Sequence, residues 1–205
     1  MNRKKFLMGN WKMNNTIAES KEFCDQIQSS GLVRLARNKG IVIGVAPSYL
    51  SLRYVQKHAH GMIVAAQDAH YASHGAYTSS VSIPMLKEIE VDWSIIGHSE
   101  KRTYEGETSF LCNRKIKALV KENFHVVYCV GETAKEYDEG ITKDVIREQI
   151  VTGLMGLTKE DIQNVVIAYE PVWSIGTGKN ASVEIAQDIC SYIRSLINDL
   201  FGKIA

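Results

Sequence analysis

The sequence predicts an α/β chain of strand-helix units whose parallel strands close as a (β/α)8 barrel, with six of the eight units inside one domain of 205 residues, 1–205. Three observations predict it. Six short apolar runs each stop at polar or turn-forming residues, near positions 9, 46, 67, 97, 130 and 169. Helical spacing returns after most of them. The run ends recur roughly 20 to 40 residues apart, the interval expected when eight units share about 250 residues. Parallel strands need right-handed crossovers, so every strand end faces the same side and residues distant in sequence gather there.

Taken in order, KFLMG at residues 5–9 reads as the first strand, and Thr16 is placed to cap an amphipathic helix reaching about Ser30. Ile41 to Ala46 is a second strand ended by Pro47, and Ile63 to Gln67 a third ended by Asp68. The stretch from Ala69 to Ser82 is longer than a connection requires and carries His70, Tyr71, His74 and Tyr77, which points to a binding role. Trp93 to Gly97 forms the fourth strand and runs into His98-Ser99-Glu100-Lys101-Arg102. Val126 to Val130 is the fifth, ending at Gly131-Glu132. Val165 begins the sixth, an unbroken apolar run that reads as buried on both faces and stops at Glu170-Pro171. Ile185, Ile189, Ile193, Leu196, Ile197 and Leu200 then trace one face of a last helix, with Ser182 as its cap.

Charge and cysteine usage narrow the function. With 24 basic and 23 acidic side chains the net charge is +1, which leaves no footprint for nucleic acid or an acidic membrane surface. Cys24, Cys112, Cys129 and Cys190 lie far apart with no C-x-x-C, and no long apolar span occurs, so the reading is a cytoplasmic protein with reduced thiols.

Glu170 is a carboxylate at a strand end, followed by Val172, Trp173 and Gly176-Thr177-Gly178, whose amides suit an anion. Alone, this stretch reads equally as a Glu paired to a nearby Arg with glycines that only turn the chain. The tie is broken by Lys12, Asn10, His98 and Glu100, each just past another apolar strand. Together they supply a base, an electrophile and charge neutralisation for an enolate-like transition state. A metal site at His58-Ala59-His60 would place two imidazoles on one strand face, but these residues precede the third strand rather than follow one, and no H-E-x-x-H or Cys/His cluster supports them. Nucleotide binding at Gly176-Thr177-Gly178-Lys179 fails on spacing, since G-x-x-x-x-G-K-[ST] needs Gly at Trp173 and Ser or Thr at Asn180. Cys129, inside a strand, reads as packing.

Gly9-Asn10-Trp11-Lys12-Met13, Ile96-Gly97-His98-Ser99-Glu100-Lys101-Arg102, Cys129-Val130-Gly131-Glu132 and Ala168-Tyr169-Glu170-Pro171-Val172-Trp173-Ser174-Ile175-Gly176-Thr177-Gly178 resemble the triosephosphate isomerase family, in the family's order, from about residue 4 onward. The resemblance implies a TIM barrel that interconverts dihydroxyacetone phosphate and D-glyceraldehyde 3-phosphate in glycolysis and gluconeogenesis. It implies Glu170 as the base, His98 as the neutral electrophile, Lys12 and Asn10 as substrate-binding groups that stabilise an enediolate, and Glu100 as their support. Gly176 would present an amide to the phosphate, and Pro171 to Thr177 would form a lid. No metal and no organic cofactor is implied.

Gly75-Ala76-Tyr77-Thr78 resembles the arm that enters a twin subunit, which implies a homodimer. Ser79-Ser80 stands where the family commonly has Gly-Glu, and Lys101 where it has Arg, so the usual interface carboxylate-arginine pair is missing. Two further strand-helix units are expected beyond Ala205, each with a glycine-rich loop able to bind phosphate. Two other readings stay open: another phosphate-binding barrel, and a catalytically impaired, truncated barrel acting as a scaffold or binding protein.

Overall fold

The computed structural model describes residues 4–175 and 180–203. They fall into two compact units divided between Ile95 and Ile96.

The first unit runs β1 (Lys5–Asn10), α1 (Ile17–Ser29), α2 (Leu32–Asn38), β2 (Ile41–Ala46), α3 (Tyr49–His58), β3 (Ile63–Ala66), α4 (Ile83–Glu88) and into β4 (Trp93–Ile96). Its strands pair in sequence order and in parallel, with Met8 beside Gly44, Val45 beside Val64, and Ala65 beside Trp93. Parallel pairing forces a crossover between successive strands, and α1 with α2, α3 and α4 supply the three crossovers. Thr16 and Glu19 close a reciprocal capping box on α1, as its sequence position predicts. Val45, Ala46, Leu52, Val55, Val64 and Leu86 are buried, so β2 and β3 carry the core together with the inner faces of α3 and α4. Among the described residues β1 pairs with β2 alone, and Phe6 and Leu7 remain 42% and 66% exposed.

The sequence gives no long period for α2, α3 or α4, which span only 7, 10 and 6 residues. His58 ends a helix, stacked on Tyr54, so His58 and His60 do not share the strand face that the rejected metal reading would need. The long segment 69–82 folds around a ring cluster in which His70 lies 4.2 Å from Tyr71 and 4.1 Å from Tyr77.

The second unit continues with α5 (Ser99–Glu105), α6 (Ser109–Lys121), β5 (His125–Val130), α7 (Ala134–Asp138), α8 (Thr142–Gly153), β6 (Val165–Tyr169) and α9 (Val183–Phe201). β5 and β6 pair in parallel from Val126–Val165 to Val130–Tyr169. Phe124, Val126, Tyr128, Ile116, Leu119, Ile146 and Ile150 form the core between β5, α6 and α8. Ser182 caps α9 by accepting the Ile185 amide, and Ile189, Ile193 and Leu196 are that helix's buried stripe. β6 departs from expectation. Every residue in it is only half-buried, because among the described residues it pairs with β5 alone and so lacks a second flanking strand.

Candidate active site

β4 ends at Ile96, and Gly97 turns the chain at φ +76 so that His98 becomes the N-cap of α5. His98 Nδ1 accepts the Glu100 amide at 3.3 Å. An accepting Nδ1 leaves the proton of a neutral imidazole on Nε2, which stands 3.3 Å from Glu170 Oε2. The other carboxylate oxygen, Oε1, accepts the Ser99 amide at 2.6 Å. Glu170 directly follows β6, and its own amide donates to Val130 O at 2.9 Å, so the end of β5 fixes where the carboxylate begins. The His98 and Glu170 side chains keep 12% and 19% of their surface, enough to be met by a small molecule and too little for full hydration.

Behind them lies a second carboxylate. Glu132, just past β5, is fully buried, and its Oε1 accepts both Tyr169 Oη at 3.0 Å and Trp173 Nε1 at 2.7 Å. Its backbone carbonyl takes the Val172 amide at 3.1 Å, while Oε2 has no hydrogen-bond partner among the described residues. Burial first, and the Glu132 charge second, push the Tyr169 phenol up, so Tyr169 remains a donor. The Trp173 ring also packs against Tyr137, with centroids 4.4 Å apart. Cys129 is buried, and desolvation followed by the Glu170 charge pushes its thiol well up, which leaves it as packing.

In the first unit, Asn10 ends β1 and its Oδ1 accepts the Lys12 amide at 2.9 Å. Lys12 itself takes φ +54, a region that costs a residue with a Cβ about 1 kcal/mol or more. Gln67 Nε2 donates to Lys12 O at 2.8 Å and to Ala46 O at 3.0 Å, and Trp11 N also donates to Ala46 O. Three strand ends are thus tied together around the lysine.

The sequence profile of the family described as triosephosphate isomerase matches residues 5–205. The chain belongs to the triosephosphate isomerase family. It is 43% identical over 203 residues to triosephosphate isomerase of Carboxydothermus hydrogenoformans, covering 98% of this chain and 79% of that one. The protein of the same name from Acetivibrio thermocellus is 42% identical over 205 residues, 99% of this chain and 80% of the relative. That of Clostridium perfringens is 38% identical over 203 residues, 98% and 80%.

For a chain of the triosephosphate isomerase family, the structure brings His98 and Glu170 together and sets Glu100 beside the imidazole, its Oε2 3.6 Å from His98 Nδ1. Asn10 and Lys12 form their own pair in the other unit. Gly176 lies outside the described residues. The bland reading of Glu170 as the partner of an Arg does not hold, since its partners are an imidazole and a backbone amide. Sequence reasoning assigned no role to Ser99, Gln67, Glu132 or Tyr169. Ser99, Glu132 and Tyr169 stand inside the family-like motifs without a role of their own, and Gln67 only as the polar end of the third apolar run. Two departures from the triosephosphate isomerase pattern also find their structural consequence. Ser79, where the family commonly has Gly, adopts φ +73, and Lys101, where it has Arg, pairs with Glu105 one helical turn on. Among the described residues no three His, Cys, Asp or Glu side chains gather to hold a metal ion, and no helix is long and apolar enough to cross a membrane.

Proposed function

We propose that the protein interconverts dihydroxyacetone phosphate and D-glyceraldehyde 3-phosphate through an enediolate, with Glu170 moving one proton between neighbouring carbons. The observation that carries this is the Glu170 carboxylate 3.3 Å from His98 Nε2, at the ends of β6 and β4. His98 presents Nε2–H to the substrate oxygens, Lys12 and Asn10 offset the enediolate charge, and Glu100 supports the imidazole. Gly176 contributes a phosphate-binding amide. In the described state both Glu170 oxygens are engaged, so the carboxylate must leave Ser99 to reach a substrate carbon. Such a base supplies roughly 10² to 10⁴ in rate, about 3 to 5 kcal/mol, and stabilisation of the oxyanion supplies the remainder.

The chain spans 79–80% of the length of these relatives, which supports a (β/α)8 barrel whose last two units lie outside these residues. Exposed Met13 and Tyr77, 96% and 44% accessible, suit a homodimer in which the segment 69–82 enters a twin. The reaction belongs to glycolysis and gluconeogenesis, and the bacterial relatives of the same name support a cytoplasmic place for it. Identities of 38–43% to proteins named triosephosphate isomerase count against a scaffold that merely kept the motifs.

A coupled isomerase assay on the full-length protein tests the reading. Glu170→Gln keeps the shape and removes the base, so kcat is expected to fall at least ~10²-fold with KM little changed. Near-normal turnover in that variant overturns the assignment.

A further inference from the structure

Both hydrogen-bonding groups of Gly97, the residue before His98, are held by charged side chains. Its N–H donates to Glu107 Oε2 at 3.0 Å and its C=O accepts Arg102 Nε at 2.9 Å. Glu107 is itself fixed by an ion pair with Lys115, and the two are only 4% and 5% exposed. The remaining nitrogens of Arg102 reach Tyr128 Oη at 3.2 Å, Cys129 O at 3.3 Å and Ser109 Oγ at 3.3 Å. Tyr128 is fully buried, and its own hydroxyl donates to Gln149 O at 2.7 Å.

The turn needs glycine twice over. Its φ is +76, and a Cβ would stand 3.0 Å from Arg102 Nη2, Cys129 O and Tyr128 Cε2. Glycine also brings the freest backbone in the chain, so nothing intrinsic to Gly97 fixes the direction in which His98 leaves it. Charged hydrogen bonds to its N–H and C=O, from side chains anchored in the core, remove that freedom.

We propose that Arg102 and Glu107 are positioning residues for His98: by gripping the two polar groups of Gly97 they set where Nε2 points. The proposal rests on the reading of His98 as the electrophile. A buried ion pair is a costly way to satisfy one amide, and it is suited to an arrangement that must not move. Displacing a reacting group by about 1 Å costs on the order of 10²-fold in rate, which sets the scale of the effect.

The test uses the full-length enzyme. Arg102→Lys keeps the charge and loses the fork. Glu107→Leu combined with Lys115→Met removes the acceptor from Gly97 N–H without stranding a buried charge. Each is expected to lower kcat about 10- to 100-fold with KM nearly unchanged, and to alter the His98 ring ¹⁵N signals that report the Nε2–H tautomer. A role confined to stability would lower the melting temperature and leave kcat per folded site and the ring signals as in the parent. Folded variants that behave so overturn the proposal, as does a change in KM alone. Should both variants fail to fold, the Gly97 amide of the parent enzyme decides: hydrogen exchange as slow as in the β5 core supports the grip, and fast exchange overturns it. His98→Asn separates the two levels of the argument. If it retains turnover, the active-site reading falls and takes this proposal with it. If it loses turnover while Arg102→Lys does not, only the positioning role falls.

Discussion

Lys12 and His98 both follow a strand end, and the chain solves the same geometrical problem differently for each. After β1 the left-handed turn falls on Lys12 itself, which carries φ +54 and the strain that goes with it. After β4 it falls one residue earlier, on Gly97, and His98 is left in unstrained extended geometry as a helix N-cap. Neutral amide side chains, Asn10 and Gln67, brace Lys12 against that strain. His98 gains relief from strain and loses intrinsic rigidity, and the stiffness is supplied from outside by Arg102 and Glu107. Where the turn falls relative to the side chain at the strand end decides whether neutral amides must brace a strained backbone or buried charges must stiffen a free one.

The largest effect that would break this comparison is expected at Gly131. This glycine is needed for close approach rather than for a positive φ: an added Cβ would stand 1.8 Å from Glu170 O and 2.8 Å from its carbonyl carbon. Gln149 grips its peptide on both sides, Gly131 N to Oε1 at 2.8 Å and Nε2 to Gly131 O at 2.9 Å, so the strand end cannot slide away. Gly131→Ala is therefore expected to push Glu170 rather than Gly131, costing about 3 kcal/mol of stability and at least about 10²-fold in kcat. Denaturant unfolding and turnover measured together check it. A stable, active Gly131→Ala would mean that the β5 end yields despite the Gln149 grip.

Much of this was readable beforehand, and the division follows the physics. Short apolar runs ending in Asn10, His98, Glu132 and Glu170 announce strand ends, because a buried strand seldom accepts a charged or amide side chain before it stops. Thr16 and Ser182 announce helix starts through their hydroxyls. Glu107 and Lys115 announced nothing, and Arg102 stood inside a family-like motif with no role of its own. In sequence they belong to charged, helix-forming stretches that read as solvated surface, and only the packing of α6 on β5 reveals that Lys115 and Glu107 are buried. The half-exposed β6 was missed for the same reason. An apolar run states a preference for burial, while the number of flanking strands is a property of the whole sheet. Short helices such as α2, α4 and α7 complete too few turns for periodicity to register.

A smaller effect is expected in the first unit. Gln67→Ala removes the amide that donates to Lys12 O and Ala46 O. Ala46 O keeps the Trp11 amide, so the loss centres on the Lys12 carbonyl and is expected to cost about 1 to 2 kcal/mol. The strained Lys12 then has an easier route to relax, so KM is expected to rise more than kcat falls, the reverse of the pattern expected for Arg102→Lys. Steady-state kinetics on the two variants side by side check this, and an identical split in both would erase the distinction between strain and buried charge.

The smallest effect sharpens the comparison from the opposite side. Lys101 and Arg102 are neighbours on α5, both cationic, and both engage a carboxylate or carbonyl on the same helix or turn. Lys101 pairs with Glu105, whose side chain is 60% exposed, while Arg102 reaches into a cluster closed off by Tyr128, Ser109 and Gly97. An i,i+4 pair whose carboxylate stands in water is screened and must order two long side chains, so the pair itself is worth about 0.3 to 0.5 kcal/mol. Lys101→Ala should accordingly shift the urea midpoint barely, leave kcat as it is, and lose what little effect it has at high salt. Because the stem of Lys101 is partly covered, a larger loss that persists in salt would have to come from packing of its methylenes, and the distinction between the two cations of α5 would then be one of contact area rather than of charge burial.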